Sequence, residues 1–452
     1  MRLEAPGALS MLKGSDLTRC LIVLLVGALF GTASAVTQNP MIPDTPAGEA
    51  LRAWLDAFNS GDRARFDSFE KLHAPWLTTD TEMARRARTG GYDLLSIDKS
   101  NKLWIVFHTK ERASSVEGYG RLVVRSYDPD HVTLLSLAPG APSPEFTLDK
   151  AERTRVVNGA AKLLEKFYLF PDVAKRVSEK VRVLRERGEY GEINDPEIFS
   201  IRLGDDLVLL SGDKHIGVDY FPKAMPPEPA RRPHPDPRQL AALNCGFDKA
   251  EHYPPNIGYL KLTVIAEPES CIQTATAAMT FLADSDALII DLREARGGSP
   301  PMVAVICSYL FDEPIHLDDI DDHQENTTEQ LWTNPYLPGK KFTGKPVFVL
   351  ISGRTFSASE ELAYDLKSLK RATLVGETTG GGAHTVTPHR IDEHFFIRVP
   401  FGRFVNPVTK TDWEGTGVEP DVKVPAQEAL DVARTLAAES INRARLQPQG
   451  NR

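Results

Sequence analysis

The residues best suited to chemistry are a serine at a strand-to-helix turn and the histidines able to take its proton. Ser357 lies in Thr355-Phe-Ser-Ala-Ser-Glu-Glu-Leu362. An apolar run, Val347 to Ile351, precedes it, and apolar residues at 362, 363, 366 and 369 follow it. The run reads as a strand buried on both faces and the later spacing as a helix. A hydroxyl between them is placed to attack a carbonyl. The helix start supplies free N–H groups and a positive dipole end for the oxyanion that forms. The same residues also spell a capping box, with Ser357 as N-cap and Glu360 at N3. Spacing alone therefore allows a cap as well as a nucleophile.

A serine nucleophile needs a base. Among the eleven histidines, His215 lies in Gly212-Asp-Lys-His-Ile-Gly-Val-Asp-Tyr220 and His384 follows Gly380-Gly-Gly-Ala. His384 is a candidate substrate contact. Asp291-Leu-Arg-Glu-Ala-Arg-Gly-Gly298 closes a strand ahead of a helix. Glycines there let the backbone approach a ligand. The N–H groups of Gly297, Gly298 and Ala358 are candidate oxyanion donors, although a tight turn would use the same glycines. Asp318-Asp-Ile-Asp-Asp322 has neither the ligand spacing nor the glycine of an EF-hand loop and reads as a solvated loop,. No metal or organic cofactor is implied.

These residues need a frame, and the 452-residue chain is long enough for two or three domains,. Its composition, 41% hydrophobic and 25% charged, is that of a globular protein, and a net charge of −9 argues against a nucleic-acid or anionic-membrane partner,. Residues 1–35 read as a signal peptide: Arg2, Lys13 and Arg19, then an apolar stretch from Cys20 to Phe30, then Ala33-Ser34-Ala35,. Export to a periplasmic or extracellular space is expected, with no membrane span after cleavage. Cys245, Cys271 and Cys307 remain, enough for one disulfide and a free thiol,.

Residues 36–137 read as an α+β accessory domain, with a helix at Ala50 to Phe58 and strands at Leu103 to His108, Gly120 to Ser126 and Val132 to Leu137. A Pro/Gly linker at 138–144 follows,. Residues 147–235 read as a helical subdomain from Lys150 to Arg187, then two strands between Asp205 and Tyr220 that bear His215, then a proline-rich connection at 225–237. Residues 236–440 alternate strand and helix signals, an α/β pattern with a largely parallel sheet. Ser357 falls beyond the carboxyl end of one strand, where such sheets bind ligands.

Several motifs occur in a consistent order: Asn256-Ile-Gly-Tyr-Leu260, Asp291-Leu-Arg with Gly297-Gly298, Thr355 to Leu362, Val375-Gly-Glu-Thr-Thr-Gly-Gly-Gly-Ala383 and Trp413-Glu-Gly-Thr-Gly-Val-Glu-Pro-Asp421. Over about residues 150–435 the chain resembles the tail-specific, C-terminal processing serine peptidases, in the branch containing interphotoreceptor retinoid-binding protein and the tricorn core. The resemblance implies a crotonase-like ββα catalytic domain without an inserted PDZ-like domain. It implies Ser357 as nucleophile, His215 as base, Glu414 as its support, and Gly297, Gly298 and Ala358 as the oxyanion hole. The lysine used as base in the processing-peptidase branch has no counterpart, because its position is Gly382. Two departures stand out: Lys214 replaces a serine of the tricorn-like pattern, and Ala295 an asparagine. The opening helix resembles that of the cone-shaped, ketosteroid-isomerase-like fold. The expected activity is hydrolysis of a peptide or protein substrate, with esterase activity on the same site, or binding of small apolar ligands without catalysis, as the alternatives. The sequence sets no oligomeric state.

Overall fold

Thr45 and Asp62 start the first two helices, α1 (Pro46–Ser60) and α2 (Arg63–His73), by accepting backbone N–H bonds from each first turn,. The computed structural model describes residues 40–140, 147–226 and 237–446. The expected signal peptide, most of the 138–144 linker and most of the 225–237 connection lie outside the described residues. After α3 (Thr79–Thr89) come β1 (Tyr92–Ser100), β2 (Trp104–Glu111), β3 (Glu117–Val124) and β4 (Val132–Pro139), an antiparallel sheet in sequential order. Alternation along β2 decides what each sheet face covers. Ile105 and Phe107 pack with Trp54, Phe58, Phe66 and Tyr92 under the helices. The rings fill that interior, with Phe58 stacked on Tyr92 at 5.2 Å and Trp54 5.5 Å from Phe58.

Trp104 and Val106, on the other face of β2, join Val123 in a core shared with α4 (Lys150–Phe167), α5 (Pro171–Glu186) and α6 (Pro196–Ser211). The break expected at Phe170-Pro171 is present, with Pro171 opening α5,. The region from Asp205 to Tyr220 differs from the two strands expected. Its first half is the end of α6, and only β5 (Gly217–Tyr220) is a strand. Asp195 caps α6, Pro196 occupies its first turn, and Gly212 at φ 81° ends it,. Leu207-Val-Leu-Leu210 reads as a strand because this end of α6 is apolar all round, with Leu207 buried and Leu209 exposed, so no polar stripe marks a helix,.

From residue 237 the elements are α7 (Pro237–Ala242), β6 (Phe247–Tyr253), β7 (Ile257–Leu262), α8 (Pro268–Leu282), β8 (Ala287–Asp291), α9 (Pro300–Ser308), β9 (His316–Asp322), β10 (Thr327–Trp332), β11 (Val347–Ile351), α10 (Ala358–Ser368), β12 (Thr373–Gly376), β13 (His384–Arg390), β14 (Phe395–Val405), β15 (Val422–Lys423) and α11 (Ala429–Leu446). One sheet has the order β15-β12-β11-β8-β7-β6 and is parallel except for the β6–β7 pair. Leu260, Ile290, Val349 and Leu374 pack on one face with α8, α9 and α10, while Tyr259, Ile289, Leu350 and Val375 meet α11 on the other. Burial on both faces explains the continuous apolar runs.

A second, antiparallel sheet has the order β10-β9-β14-β13, with β5 added to β14. Its β9 contains the acidic stretch expected to be a solvated loop. Asp318 is instead fully buried. The run of carboxylates conceals the strand because alternation carries only some of them inward. The fold is mixed α/β. Cys245 and Cys271 form a disulfide, and Cys307 is a buried free thiol.

Because Trp104, Val106 and Val123 wall the α4–α6 core, a chain beginning at residue 147 would expose that core. Thermal denaturation should show no cooperative transition for it, or one well below that of the full chain. A truncated protein melting within a few degrees of the full chain would mean that the N-terminal layer contributes little.

Candidate active site

Strand β11 ends at Ile351, and the turn 352–357 delivers Ser357 to the first turn of α10. Thr355 fixes that turn: its Oγ1 donates to Leu292 O (2.8 Å) and accepts from Ser352 N–H (3.0 Å). Ser357 has φ 55° and ψ −131°, far from the extended backbone of an ordinary N-cap,. Such a conformation in a non-glycine residue is strained and concentrates at functional sites. The glutamate half of the expected capping box is made, with Ser357 N–H donating to Glu360 Oε2 at 2.8 Å. The Ser357 hydroxyl lies 3.2 Å from His215 Nε2.

His215 reaches this position from the short link between α6 and β5. Its backbone N–H donates to Asp213 Oδ1 (2.9 Å), and its ring lies 4.8 Å from that of Phe356. Gly382 permits the fit, since a Cβ there would lie 2.6 Å from His215 Cε1 and 2.3 Å from Phe356 Cζ. Burial pushes the His215 pKa down to about 4, against an upward pull from Asp213. The ring is therefore neutral at pH 7, as a base must be. Its Nδ1 is buried without a hydrogen-bond partner among the described residues.

Glu414, expected to support His215, lies beside His384. Its Oε2 accepts Ala383 N–H at 2.5 Å and lies 3.6 Å from His384 Nδ1. His384 Nδ1 donates at 2.7 Å to Asp213 Oδ2, which also accepts the Tyr168 hydroxyl at 3.1 Å. Both sit behind the base, because β13 begins at His384 and turns its ring inward. Burial favours neutral Asp213, but the bonds from His384 and from His215 N–H outweigh it and hold this carboxyl below its ordinary range. Burial likewise lowers His384, and its bond to Asp213 more than compensates, raising the pKa. Burial, opposed by His384, raises Glu414 to about 7.

The expected oxyanion donors divide. Gly297 N–H is already bound to Ser359 Oγ at 3.0 Å. Gly298 and Ala358 N–H have no acceptor among the described residues. Gly297, at φ 93°, brings the strand end against the nucleophile, since a Cβ there would lie 2.7 Å from Ser357 Cβ,. Lys214 Nζ donates to Gly380 O at 2.6 Å, away from the base. Ala295 is buried, and its carbonyl accepts Phe356 N–H at 3.2 Å.

The sequence reading did not single out Asp213, Tyr168 or Phe356, it took Ser359 as a helix residue without covalent chemistry, and it gave Glu360 only a cap's role. Asp213 had a signal, two residues before a histidine at a helix end. The others are brought in by tertiary contacts.

Residues 256–424 match the family Peptidase_S41, described as Peptidase family S41, and residues 148–244 match Peptidase_S41_N, the N-terminal domain of Peptidase_S41 in eukaryotic IRBP. The chain is 29% identical over 171 residues to carboxyl-terminal-processing peptidase 2, chloroplastic, of Arabidopsis thaliana, covering 38% of this chain and 32% of that protein. It is 28% identical over 180 residues to the carboxy-terminal-processing protease of Bartonella bacilliformis, covering 37% and 39%. The chain thus spans about a third of the length of these relatives. The solved structure of the photosystem II D1 C-terminal processing protease superposes with a TM-score of 0.39 at 17% identity, covering 64% of this chain and 98% of that one. Among the described residues no helix is long and apolar enough to cross a membrane.

The lowered pKa of His215 sets a pH dependence. Between about 4 and 6.5 the unfolded chain binds a proton at this histidine and the folded chain does not. Its contribution to stability is complete above the unfolded value and is lost as pH falls toward the folded one. An NMR titration should show the His215 ring neutral down to about pH 4. A midpoint near the ordinary histidine value would mean that the ring is open to water.

Proposed function

We propose that the chain, whose residues 256–424 match peptidase family S41, is an exported serine peptidase hydrolysing peptide bonds with Ser357 as nucleophile and His215 as base. The observation that carries this reading is the 3.2 Å approach of His215 Nε2 to Ser357 Oγ at a strained strand-to-helix turn. The catalytic layer corresponds to the ββα unit of a crotonase-like fold, and the cone-like N-terminal layer is an accessory to it. The Cys245–Cys271 disulfide supports an oxidising, exported location,.

In the reaction, Ser357 Oγ attacks the scissile carbonyl carbon as His215 Nε2 takes its proton. The carbonyl oxygen becomes an oxyanion, held by the N–H groups of Gly298 and Ala358 at the positive end of α10. Collapse breaks the C–N bond, and the His215 proton passes to the departing amine. Water, deprotonated by His215, then attacks the acyl-serine, and the His215 proton passes to Ser357 Oγ as the ester C–O bond breaks and the acid is released. Asp213 fixes the base through its backbone N–H. His384 and Glu414 act on Asp213, so Glu414 supports His215 at one remove. An esterase would use the same steps with an alcohol as leaving group. The apolar-ligand reading finds less support. The N-terminal interior is filled by rings, and a cavity of about 710 Å³ beside Arg354 is lined by charged residues including Glu70, Lys71, Arg293 and Glu294.

A fluorophosphonate should form an adduct on Ser357 and not on Ser359, read by site-resolved mass spectrometry. Ser357→Ala should keep the fold, with a stability change of about 1 kcal/mol at most, and abolish both adduct and turnover. His215→Ala should lower turnover by roughly 10²–10⁴. Unreduced peptide hydrolysis by Ser357→Ala, or an adduct on Ser359, would sink the assignment. Cleavage of esters but no peptides would favour the esterase.

A further inference from the structure

Behind the nucleophile helix lie three carboxylates that the peptidase reaction does not use. Asp318 comes from β9, while Glu361 and Asp365 are one turn apart on α10. All three are completely buried. One oxygen from each lies within 4.8 Å of the others. Asn406 Nδ2 donates to Asp365 Oδ1 at 3.1 Å. No lysine or arginine is paired with any of the three among the described residues. Arg371 is spent on the carbonyls of Leu310, Lys345 and Phe342.

Glu361 is the group that demands an explanation. It has zero exposure, and neither carboxylate oxygen has a hydrogen-bond partner among the described residues. Its charged neighbour is another carboxylate, Asp318. An unpaired anion there would carry a heavy desolvation penalty. Both Asp318 oxygens and Asp365 Oδ2 are likewise buried without a hydrogen-bond partner among the described residues. A proton on Glu361 would neutralise it and leave its O–H without an acceptor. A cation at the centre engages all three groups.

We propose that Asp318, Glu361 and Asp365 form a calcium site that fastens β9 to the first two turns of α10. The donors are hard carboxylate oxygens, the class that calcium, magnesium and manganese take. With calcium–oxygen distances of about 2.3–2.6 Å, ligands on opposite sides of the ion stand roughly 4.6–5.2 Å apart. The three oxygens, all within 4.8 Å of one another, lie inside that limit. Bidentate binding would bring up to six carboxylate oxygens to a site shielded from water. Glu361 is four residues from Ser357, so the ion would brace the helix that presents the nucleophile. The site is independent of whether that nucleophile acts.

The test uses the purified full-length chain, stripped with EDTA and dialysed at pH 7.5 against calcium chloride. Equilibrium dialysis with elemental analysis should find one calcium per chain, and calcium should raise the melting temperature by several degrees. Glu361→Gln should cut calcium affinity at least tenfold and lose most of that thermal shift. It should still fold, because it removes a buried charge. Asp318→Asn should behave in the same way. If the wild-type chain binds no calcium at millimolar concentration and melts identically with calcium and with EDTA, the proposal is overturned. Stability that falls as pH rises through 7, with no calcium effect, would likewise overturn it by assigning protons to the cluster. None of these readouts depends on peptidase activity.

Discussion

One buried carboxylate ties the site together. Glu360, in the first turn of α10, is fully buried and accepts from Ser357 N–H (2.8 Å), Thr379 Oγ1 (2.5 Å), Gly381 N–H (2.7 Å) and Gly382 N–H (2.9 Å). Burial raises its pKa, and these donors oppose the shift. Four donors at a helix N-terminus are what a carboxylate needs to leave water. The geometric result is that the nucleophile and the glycine loop 380–382 are held by one group. That loop packs against Phe356 and His215 and leads directly into His384. Position 360 thus fixes the serine backbone and the wall behind the base together.

Two sheets meet at this point. The parallel sheet supplies the Ser357 turn and the Gly297–Gly298 approach at the carboxyl ends of β11 and β8. The antiparallel sheet supplies His384 at the start of β13, and β5, next to His215, is paired to β14. Neither sheet holds the constellation alone. The glycines at 297 and 382 mark the two closest approaches, one against Ser357 and one against His215.

The parallel sheet was legible because its strands are buried on both faces and its helices follow at regular intervals. Ser357 was legible from the strand–turn–helix pattern, and His215 from family motif order. The antiparallel sheet was not, since β9 hides a buried aspartate among acidic neighbours and β13 and β14 have mixed burial. Helix α6 was read as strand for the opposite reason, an apolar run without a polar stripe. Glu414 was assigned its supporting role by family position. The contact of His384 with Asp213 joins residues 171 apart in sequence, which no local pattern encodes.

The arrangement behind His215 changes how its charge is stabilised. In the serine–histidine–carboxylate scheme the carboxylate meets the imidazole Nδ1 and stabilises the imidazolium directly. Here Nδ1 has no partner among the described residues, and Asp213 reaches the same residue through its backbone N–H. Asp213 favours the imidazolium by its charge, whereas His384 beside it works in the opposite direction. In the proposed reaction, proton transfer from Ser357 would create a cation on His215 as a negative charge develops on the substrate oxygen, so the step separates charge without adding any. On that proposal the cost in this dry pocket would fall mainly on the N–H groups of Gly298 and Ala358 and on the dipole of α10. A site with so indirect a hold on its base relies correspondingly more on the geometry of the nucleophile turn, which is the part of the structure most heavily cross-braced.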